Sequence, residues 1–449
     1  MYDFSKMNVL VIGLARSGLA AIDLLHTLGA KITLSEMRPI EQIKEADYLQ
    51  SLGVGIVGQE PQVFEENYDL AIKNPGIPSS KSFVKRLRAR GIPVITEIEL
   101  AFAVAKPQHY LAVTGTNGKT TTATLLGEIV KAAYPDKTHV TGNIGIPLCR
   151  TVLEHDLINQ EGHYIILEIS NFQLVDIVQF HPQAAVILNL TPDHVDVMGS
   201  LENYYESKTR VYRRMTEEEV FIRNLDDRDV VEYTGNYPVP CRQLTMSLND
   251  PSAFYHLSDG WLWAADERIL PLDEIKIVGM HNVQNILAAA ALAKAAGVSN
   301  EVIRSVVAAF KGVEHRIEFV REHKGVRYYN DSKGTNPDAT ITALKAFSQP
   351  VILLVGGFEK GLSMDEVKKY IANVKKVIGF GACGARLVNE LVGDAGIVVE
   401  DMQQALDAAA EIAQAGDVVL LSPTTSSFDQ FSCYEERGEV FVKMVNALV

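Results

Sequence analysis

The stretch YLAVTGTNGKTTTATLL, residues 110–126, decides the fold, because it places an apolar run, a glycine-containing turn and a helical pattern in succession. The apolar run LAV predicts a buried strand, and Leu125, Leu126, Ile129 and Val130 recur at the spacing of one helix face. A strand that enters a helix through a glycine turn is typical of a phosphate-binding loop. The stretch therefore predicts an α/β protein with a nucleotide site at this turn.

The turn itself, GTNGKTT, has the residue types that bind a polyphosphate. Glycines let backbone N–H groups turn toward phosphate oxygens, and the N-terminus of the following helix adds a partial positive charge. In this pattern Lys119 reaches the β- and γ-phosphates and the Thr120 hydroxyl binds Mg²⁺. Val113 stands where the longer GxxxxGK[ST] pattern has its first glycine, and an ordinary glycine-rich turn is the alternative. We predict that a nucleotide contacts the whole loop, Gly115, Thr116, Asn117, Gly118, Lys119, Thr120 and Thr121.

Composition restricts the class of protein. The chain has 449 residues, of which 47% are hydrophobic, and at about 150 residues per domain this length predicts roughly three domains. It has 42 Lys and Arg against 56 Asp and Glu, a net charge of −14, which argues against nonspecific nucleic-acid binding. The four dispersed cysteines form no CxxC pair, and no run of about 18 apolar residues occurs. We expect a cytoplasmic protein that does not contact a membrane.

Short apolar runs alternate with helical patterns along the whole chain, which predicts parallel α/β units. The first block begins with the strand NVLVIG, a helix that ends at Gly29 and the strand KITLSE, and the segment KPQHY looks like its end. A second block contains the strands YIILEIS and AAVILNL, an antiparallel excursion at DGWLWAADERILPL and the helix NILAAAALAKAAG. A third block, from about Gly312, contains the strands VRYYND, VILLVGG, KVIGFG and DVVLLSP.

Acidic residues follow two strands of the second block. Glu168 lies near the end of YIILEIS, and Asp193, His194 and Asp196 follow AAVILNL. Ligands of open parallel sheets bind at the carboxyl ends of strands, so these side chains are candidates for a magnesium site. A lone histidine after a strand is more often structural, and Lys208, in the polar helix pattern YYESKTRVY, looks by itself like a solvated lysine.

The first block has a weaker glycine pattern, VIGLARSG. Gly13, Ala15 and Gly18 occupy the GxGxxG frame of dinucleotide-binding proteins, with the middle glycine replaced. Glu36, at the end of the second strand, has the place of the acid that binds a ribose. A ligand with a diphosphate group of another kind is the alternative, because the turn still offers N–H groups to phosphate.

Taken together, the motifs resemble one family, the ATP-dependent Mur ligases, which add amino acids to the peptidoglycan precursor. The ordered set that carries the resemblance spans nearly the whole chain: GLARSG, NPGIP, GTNGKTT, TGNIG, EISNFQL, TPDHVD, YYESKTRVY, GMHNVQN, GVEHRIE, NDSKGTNPDAT, LVGGFEKG and LLSPTTSSFDQF. EISNFQL and LLSPTTSSFDQF resemble the members that add D-glutamate to UDP-N-acetylmuramoyl-L-alanine through an acyl phosphate. The resemblance implies an α/β fold of three domains: a Rossmann-like N-terminal domain (1–106) that binds the UDP substrate, a central P-loop ATPase domain (107–312) and a Rossmann-like C-terminal domain (313–449) that binds the amino acid.

The resemblance also implies roles for individual residues. It implies two Mg²⁺ ions held by Thr120, Glu168, His194 and Lys208, with Lys208 carbamylated, and it makes Lys119, Lys208 and His194 the catalytic residues. The implied ATP contacts are Asn282, Asn285 and Arg316, with His315 beside Arg316 near the ATP phosphates. The implied contacts with the UDP substrate are Arg16, Ser17, Gly76 and Asn143. The implied contacts with D-glutamate are Lys333, Thr335, Lys360, Ser427 and Phe428. We expect a monomer whose partners are these small molecules.

Three alternative functions are considered. A sibling ligase would add another amino acid or extend folate with glutamate. A nucleotide switch would use the same loop, although the chain contains no NKxD motif for guanine recognition. An oxidoreductase would bind nicotinamide at the first glycine pattern, which Ala15 weakens.

Overall fold

The computed structural model describes residues 3–58, 62–193 and 195–448. They form two compact units, Met1–Glu274 with Gln284–Val307, and Ile275–Val283 with Ala308–Val449. The first unit contains two β-sheets and the second contains one, all flanked by helices, so the predicted α/β class is confirmed. Within the described ranges, none of the helices has both the length and the apolar composition needed to cross a bilayer.

The first sheet has five parallel strands in the order β3-β2-β1-β4-β5. Its elements are β1 Asn8–Ile12, α1 Arg16–Thr27, β2 Lys31–Ser35, α2 Ala46–Ser51, β3 Gly55–Val57, β4 Leu70–Lys73, α3 Ser82–Ala89, β5 Val94–Ile95 and α4 Glu97–Val104. The helix predicted to end at Gly29 ends two residues earlier, and Gly29 follows with φ +76°, the left-handed conformation that terminates many helices. The order of the strands makes β1 and β4 neighbours, so the loops after them lie together.

The second sheet has nine strands in the order β14-β13-β12-β11-β10-β9-β6-β8-β7. The pairs β12–β13 and β13–β14 are antiparallel and the other pairs are parallel, which confirms the predicted antiparallel excursion. Its strands are β6 His109–Thr114, β7 Thr138–Gly142, β8 Tyr164–Glu168, β9 Ala184–Ile187, β10 Val220–Asn224, β11 Arg242–Ser247, β12 Tyr255–Ser258, β13 Trp261–Ala264 and β14 Glu267–Pro271. The helices are α5 Lys119–Ala133, α6 Leu148–Glu154, α7 Asn171–Leu174, α8 Val195–Met198, α9 Leu201–Thr209, α10 Arg228–Asn236, α11 Met280–Ala295 and α12 Asn300–Ala309.

The third sheet has the order β15-β16-β20-β17-β18-β19, with β15 antiparallel to β16 and the rest parallel. Its elements are β15 Glu318–His323, β16 Val326–Asn330, α13 Pro337–Lys345, β17 Val351–Gly356, β18 Val374–Phe380, α14 Gly384–Val392, β19 Ile397–Val398, α15 Met402–Ile412, β20 Val418–Leu421 and α16 Tyr434–Asn446. Alternate residues of β17 enter two different apolar cores, Val351 and Leu353 in one, Ile352 and Leu354 in the other. Helices therefore cover both faces, and the carboxyl ends of β16, β20 and β17 remain for ligands.

Candidate active site

The predicted phosphate-binding loop lies between β6 and α5, at the carboxyl end of an interior strand of the second sheet. Two of its residues need to be glycine. Gly115 has φ +146° and Gly118 has φ +82°, and a Cβ atom on Gly118 would lie 2.3 Å from Oδ1 of Asn285. Asn285, on α11, therefore lies directly against the loop, and its contact with the nucleotide stays a prediction.

The loop is also held by the segment that follows β9. Thr116 Oγ1 donates to the carbonyl oxygen of Thr191 at 3.1 Å, and the backbone N–H of Asn117 donates to Asn189 Oδ1 at 2.8 Å. Asn189 Nδ2 donates back to the Asn117 carbonyl at 3.1 Å. Because the same segment continues to Asp193, the phosphate loop and the predicted metal-binding segment are fixed to each other.

Two lysines converge on one carbonyl oxygen of the loop. Lys119 Nζ donates to the carbonyl of Gly115 at 3.0 Å and to that of Thr116 at 2.7 Å, while Lys208 Nζ donates to the carbonyl of Gly115 at 2.8 Å. Lys208 is only 1% exposed, so the prediction of a solvated lysine from the local pattern is wrong. It lies on α9, brought in from 93 residues along the chain, and its Nζ lies 4.6 Å from the centre of the Tyr204 ring.

Burial, followed by the nearby charge of Lys119, holds the pKa of Lys208 well below the ordinary value for lysine, although Asp193 and Glu168 act in the opposite direction. A lower pKa increases the fraction of neutral amine at physiological pH. Only the neutral amine is nucleophilic, so the site favours a lysine that reacts rather than one that serves as a point charge.

Glu168, the last residue of β8, lies beside the same loop because it pairs with Val113 of β6. Its Oε1 accepts a hydrogen bond from Asn143 Nδ2 at 2.8 Å. Its Oε2 is buried and has no hydrogen-bond partner among the described residues. A buried carboxylate oxygen without a partner has the chemistry of a hard-cation ligand, so the residues present fit a magnesium ion.

The other predicted magnesium ligands are placed unequally. Thr120 is buried in the first turn of α5, beside Lys119. His194 lies outside the described residues. Across the part of the chain that is described, no three His, Cys, Asp or Glu side chains form a group that could hold a metal ion, so the fit rests on Glu168, Thr120 and a chemically modified Lys208.

Three of the four predicted UDP contacts, Arg16, Ser17 and Gly76, lie just after β1 and β4, and the fourth, Asn143, follows β7. A Cβ atom on Gly13 would lie 2.9 Å from Cδ1 of Ile77, so the two loops are in close contact. Gly76 is exposed and its N–H donates to Asn74 Oδ1 at 3.0 Å, while Ser17 is partly buried in the first turn of α1. Arg16 Nη2 donates to the carbonyl of Gly145 at 2.8 Å, which brings this loop to the TGNIG segment that contains Asn143.

Glu36, the acid of the dinucleotide alternative, is engaged within the protein. Its Oε2 accepts the N–H of Leu14 at 3.0 Å, and its Oε1 accepts the N–H groups of Met37 and Arg38 at 2.9 and 3.2 Å. The Arg38 guanidinium also lies 3.2 Å from Oε2. Both carboxylate oxygens hold the loop in shape, which weakens the interpretation of Glu36 as a ribose ligand.

In the second unit, the predicted D-glutamate contacts lie on the loops after three neighbouring strands, β16, β20 and β17. Lys360 Nζ donates to the carbonyl of Thr335 at 3.1 Å, and Lys333 Nζ lies 5.3 Å from the centre of the Tyr434 ring. Ser427 is buried with a hydroxyl that lacks a partner among the described atoms, while the next residue, Phe428, is 67% exposed. These loops combine two cations, a hydroxyl and an exposed ring.

The predicted phosphate contacts His315 and Arg316 adjoin these loops. His315 has φ +62°, and its carbonyl accepts the N–H of Lys333 at 3.0 Å. Its Nδ1 lies 3.0 Å from Nδ2 of Asn330, the last residue of β16. Asn282 is in the first turn of α11 and donates from Nδ2 to the carbonyl of Val278 at 2.8 Å.

Comparison with known proteins agrees with these motifs. The family profile described as Mur ligase middle domain matches residues 113–293, and that described as Mur ligase, glutamate ligase domain matches residues 315–425. A UDP-N-acetylmuramoylalanine–D-glutamate ligase of Geobacillus kaustophilus (strain HTA426) is 39% identical over 455 residues, covering 99% of this chain and 98% of that protein. The chain belongs to the Mur ligase family. The protein of the same name from Bacillus subtilis (strain 168) is also 39% identical, with 99% of this chain and 98% of that protein covered.

Solved structures of other Mur ligases share the fold. MurF ligase from Thermotoga maritima in complex with ADP gives a TM-score of 0.59 at 19% identity, covering 99% of each chain. UDP-N-acetylmuramate-alanine ligase MurC from Thermotoga maritima gives a TM-score of 0.57 at 18% identity, covering 98% of this chain and 99% of that one.

Two buried residues of this Mur ligase escaped the sequence analysis. Arg437, on α16, donates from Nη2 to the carbonyls of Ser332 at 2.8 Å and Thr425 at 3.1 Å, and so joins the loops after β16 and β20. Asp331 accepts the hydroxyl of Ser422 at 2.8 Å, and burial raises its pKa from 3.8 to about 7. Asp331 stands in the quoted motif NDSKGTNPDAT, directly after a strand, which is a signal that could have found it. Nothing in the helical pattern around Arg437 distinguishes it from a surface arginine.

Proposed function

We propose that this Mur ligase joins D-glutamate to UDP-N-acetylmuramoyl-L-alanine at the cost of one ATP. Relatives with this activity in their names match the chain over nearly its full length. The structural observation that carries the proposal is the meeting of Lys119 and Lys208 at the Gly115 carbonyl. This pair lies beside Glu168, whose buried Oε2 has no hydrogen-bond partner among the described residues and is suited to a cation.

The phosphate loop binds ATP in this proposal. The phosphates lie at the N-terminus of α5, and Lys119 exchanges its loop carbonyls for the β- and γ-phosphate oxygens. Asn285 already lies against Gly118, and with Asn282 it faces the adenine. Arg316, beside His315, binds the phosphates.

Thr120, Glu168, His194 and Lys208 would hold two magnesium ions, and bound there the ions would supply positive charge against the negative charge that develops on the transferred phosphoryl group. For Lys208 to bind a cation, its amino group must be converted to an anionic group. The neutral amine attacks CO₂, an N–C bond forms, one proton leaves, and the product is a carbamate with two oxygen ligands. The lowered pKa of Lys208 supports this step, because it increases the neutral amine at physiological pH.

The reaction has two steps. A carboxylate oxygen of the L-alanyl group attacks the γ-phosphorus, the bond to the bridging oxygen breaks, and ADP and an acyl phosphate result. The amine of D-glutamate then attacks the acyl carbon, a tetrahedral intermediate forms, the amine loses one proton and phosphate leaves. Lys119 stays with the transferred phosphoryl group, and closure of the predicted 313–449 domain would exclude water that hydrolyses the acyl phosphate.

The two substrates are assigned to the loops described above. Arg16, Ser17, Gly76 and Asn143 bind the UDP-linked acceptor. Lys333, Thr335, Lys360, Ser427 and Phe428 bind D-glutamate, since a dicarboxylate needs cations and hydroxyl donors. Ser427 supports this assignment because its buried hydroxyl has no partner among the described residues. We further infer a cytoplasmic monomer, and the four free cysteines agree with a reducing compartment.

The test is phosphate release from ATP and Mg²⁺ with UDP-N-acetylmuramoyl-L-alanine present. D-glutamate, L-glutamate, L-lysine, diaminopimelate and D-alanyl-D-alanine are offered one at a time, with Lys119→Ala as the background control. We expect release with D-glutamate alone. Release with a different amino acid would move the chain to a sibling activity, and release that ignores every amino acid would refute the ligase proposal while keeping the nucleotide site.

A further inference from the structure

The side chain of Lys73 connects the two ends of the loop of residues 74–78, NPGIP. Lys73, the last residue of β4, donates from Nζ to the carbonyl of Ile77 at 2.7 Å, and Nζ lies 3.4 Å from the carbonyl of Asn74. The side chain is 1% exposed. An ammonium that is shielded from water needs a countercharge, because burial removes its hydration.

Asp176, in the turn after α7, supplies that countercharge. Its Oδ2 lies 3.2 Å from Lys73 Nζ and accepts the hydroxyl of Ser79 at 2.8 Å, while its Oδ1 pairs with Arg88 of α3. The Asp176 side chain is 2% exposed. One buried carboxylate thus holds the end of β4, the chain just beyond the NPGIP loop and the helix that follows.

The turn that carries Asp176 is itself attached to the catalytic region. It follows α7, which begins three residues after Glu168, and the carbonyl of the preceding residue, Val175, accepts a hydrogen bond from Arg210. Arg210 caps α9, the helix that contains Lys208. The NPGIP loop and the two predicted metal-binding residues are therefore tied to the same short turn.

The loop also has space into which it could relax. A cavity of about 190 Å³ lies beside it and is lined by Lys73, Ile77, Ser79, Phe172 and Arg210, among others. Without the hydrogen bonds from Lys73, the loop keeps the internal bonds of the Gly76 and Ile77 N–H groups to Asn74, and these would still let it shift as a unit toward this cavity. The contacts of Lys73 with Ile77 and Asp176 therefore fix the position of the loop, and with it the exposed Gly76, relative to the end of β4.

We propose that Lys73 and Asp176 are positioning residues for the acceptor, which set the shape of the NPGIP loop and hence the affinity for the diphosphate of the UDP-linked substrate. The inference rests on the proposed function, since it takes the acceptor to be the ligand of this loop. Lys73 acts through the loop backbone, because its Nζ is engaged with the carbonyl of Ile77 and with Asp176.

Three variants test the role: Lys73→Met, Asp176→Asn and the double variant. Lys73→Met leaves Asp176 buried without one of its cations, so its melting temperature should fall; the double variant removes both charges and should recover much of it. Acceptor binding should behave differently. We expect the Kd for UDP-N-acetylmuramoyl-L-alanine, measured by calorimetry without ATP, to rise about tenfold or more in both Lys73→Met and the double variant. The KM for ATP and kcat at saturating acceptor should stay within about twofold of wild type.

The matched control is Asp23→Asn with Arg150→Met. This ion pair also connects a helix beside the first sheet with a helix beside the second sheet, because Asp23 lies on α1 and Arg150 on α6. We expect it to change the melting temperature and to leave acceptor affinity unchanged. If the double variant binds the acceptor with wild-type affinity, or if the control loses as much acceptor affinity, the inference about Lys73 and Asp176 is overturned and the proposed function is not affected. A wild-type chain that binds no acceptor would overturn the proposed function and with it the ligand named here.

Discussion

Asp331→Asn is the change whose effect on stability follows most directly from the structure. Burial raises the pKa of Asp331 from 3.8 to about 7, so between these values the folded chain keeps a proton that the unfolded chain has released. The free energy of unfolding therefore falls as pH rises through this window, and above about pH 7 the ionised group costs its full amount. At 1.36 kcal/mol for each pKa unit, the cost is about 4 kcal/mol, and more than half of it develops between about pH 5 and about pH 8.

The surroundings of Asp331 can accept an amide. The hydroxyl of Ser422, now a donor to the Oδ2 atom at 2.8 Å, also lies 3.0 Å from Thr340 Oγ1. It can rotate to donate there and accept the new N–H. The remaining amide oxygen keeps the N–H of Ile317, which lies 3.3 Å from Oδ1. Whatever small penalty the exchange of atoms has, it does not depend on pH and cancels in the comparison of two pH values.

The assay is hydrogen exchange of the amides of β20, at the centre of the third sheet, in wild type and variant at the same pH. We expect the stability of Asp331→Asn relative to wild type to increase by roughly 2–3 kcal/mol from about pH 5 to about pH 8. Asp417→Asn is the control in the same unit, because Asp417 is ion-paired with Lys375 at 2.7 Å and its loss should destabilise the sheet at neutral pH. A difference between Asp331→Asn and wild type that is constant with pH would refute the reasoning.

Three further outcomes are expected. Lys119→Ala and Lys208→Ala should each lower phosphate release about a thousandfold with an unchanged circular dichroism spectrum, and full activity of Lys208→Ala would remove the carbamate from the mechanism. Gly118→Ala should raise the KM for ATP at least about tenfold, since the left-handed conformation costs about 1–2 kcal/mol and the new Cβ would lie 2.3 Å from Oδ1 of Asn285. The control is Gly53→Ala, because Gly53 also has a positive φ, +74°, but its Cβ would meet no atom within 4 Å. This control should lose stability and keep the ATP affinity. Ser427→Ala should raise the KM for D-glutamate by about tenfold, the loss of one hydrogen bond to a charged group, and an unchanged KM would remove Ser427 from the amino-acid site.

Local pattern was sufficient for the strands and the ligand loops. The strand–loop–helix order around Lys119 could be predicted because apolar periodicity and glycine placement are properties of neighbouring residues. Glu168 could be predicted as a candidate ligand for the same reason, since the residue that ends a buried parallel strand lies at the ligand edge of the sheet. The residue roles carried over from the family resemblance remain predictions that the variants above test.

By itself, then, the sequence determined the α/β class, the phosphate loop and which residues stand at strand ends. The tertiary structure decided the environment of each charged group, because burial and pairing depend on segments that are far apart along the chain. Lys208 looks solvated in its own helix and becomes buried only where α9 packs against a loop 93 residues away. Arg437 likewise looks like a surface residue until α16 is placed over the loops after β16 and β20, and Lys73 is matched by Asp176 only where two sheets' layers meet. A charge that leaves water is stabilised by whatever fixed partners surround it, and no local pattern specifies those partners.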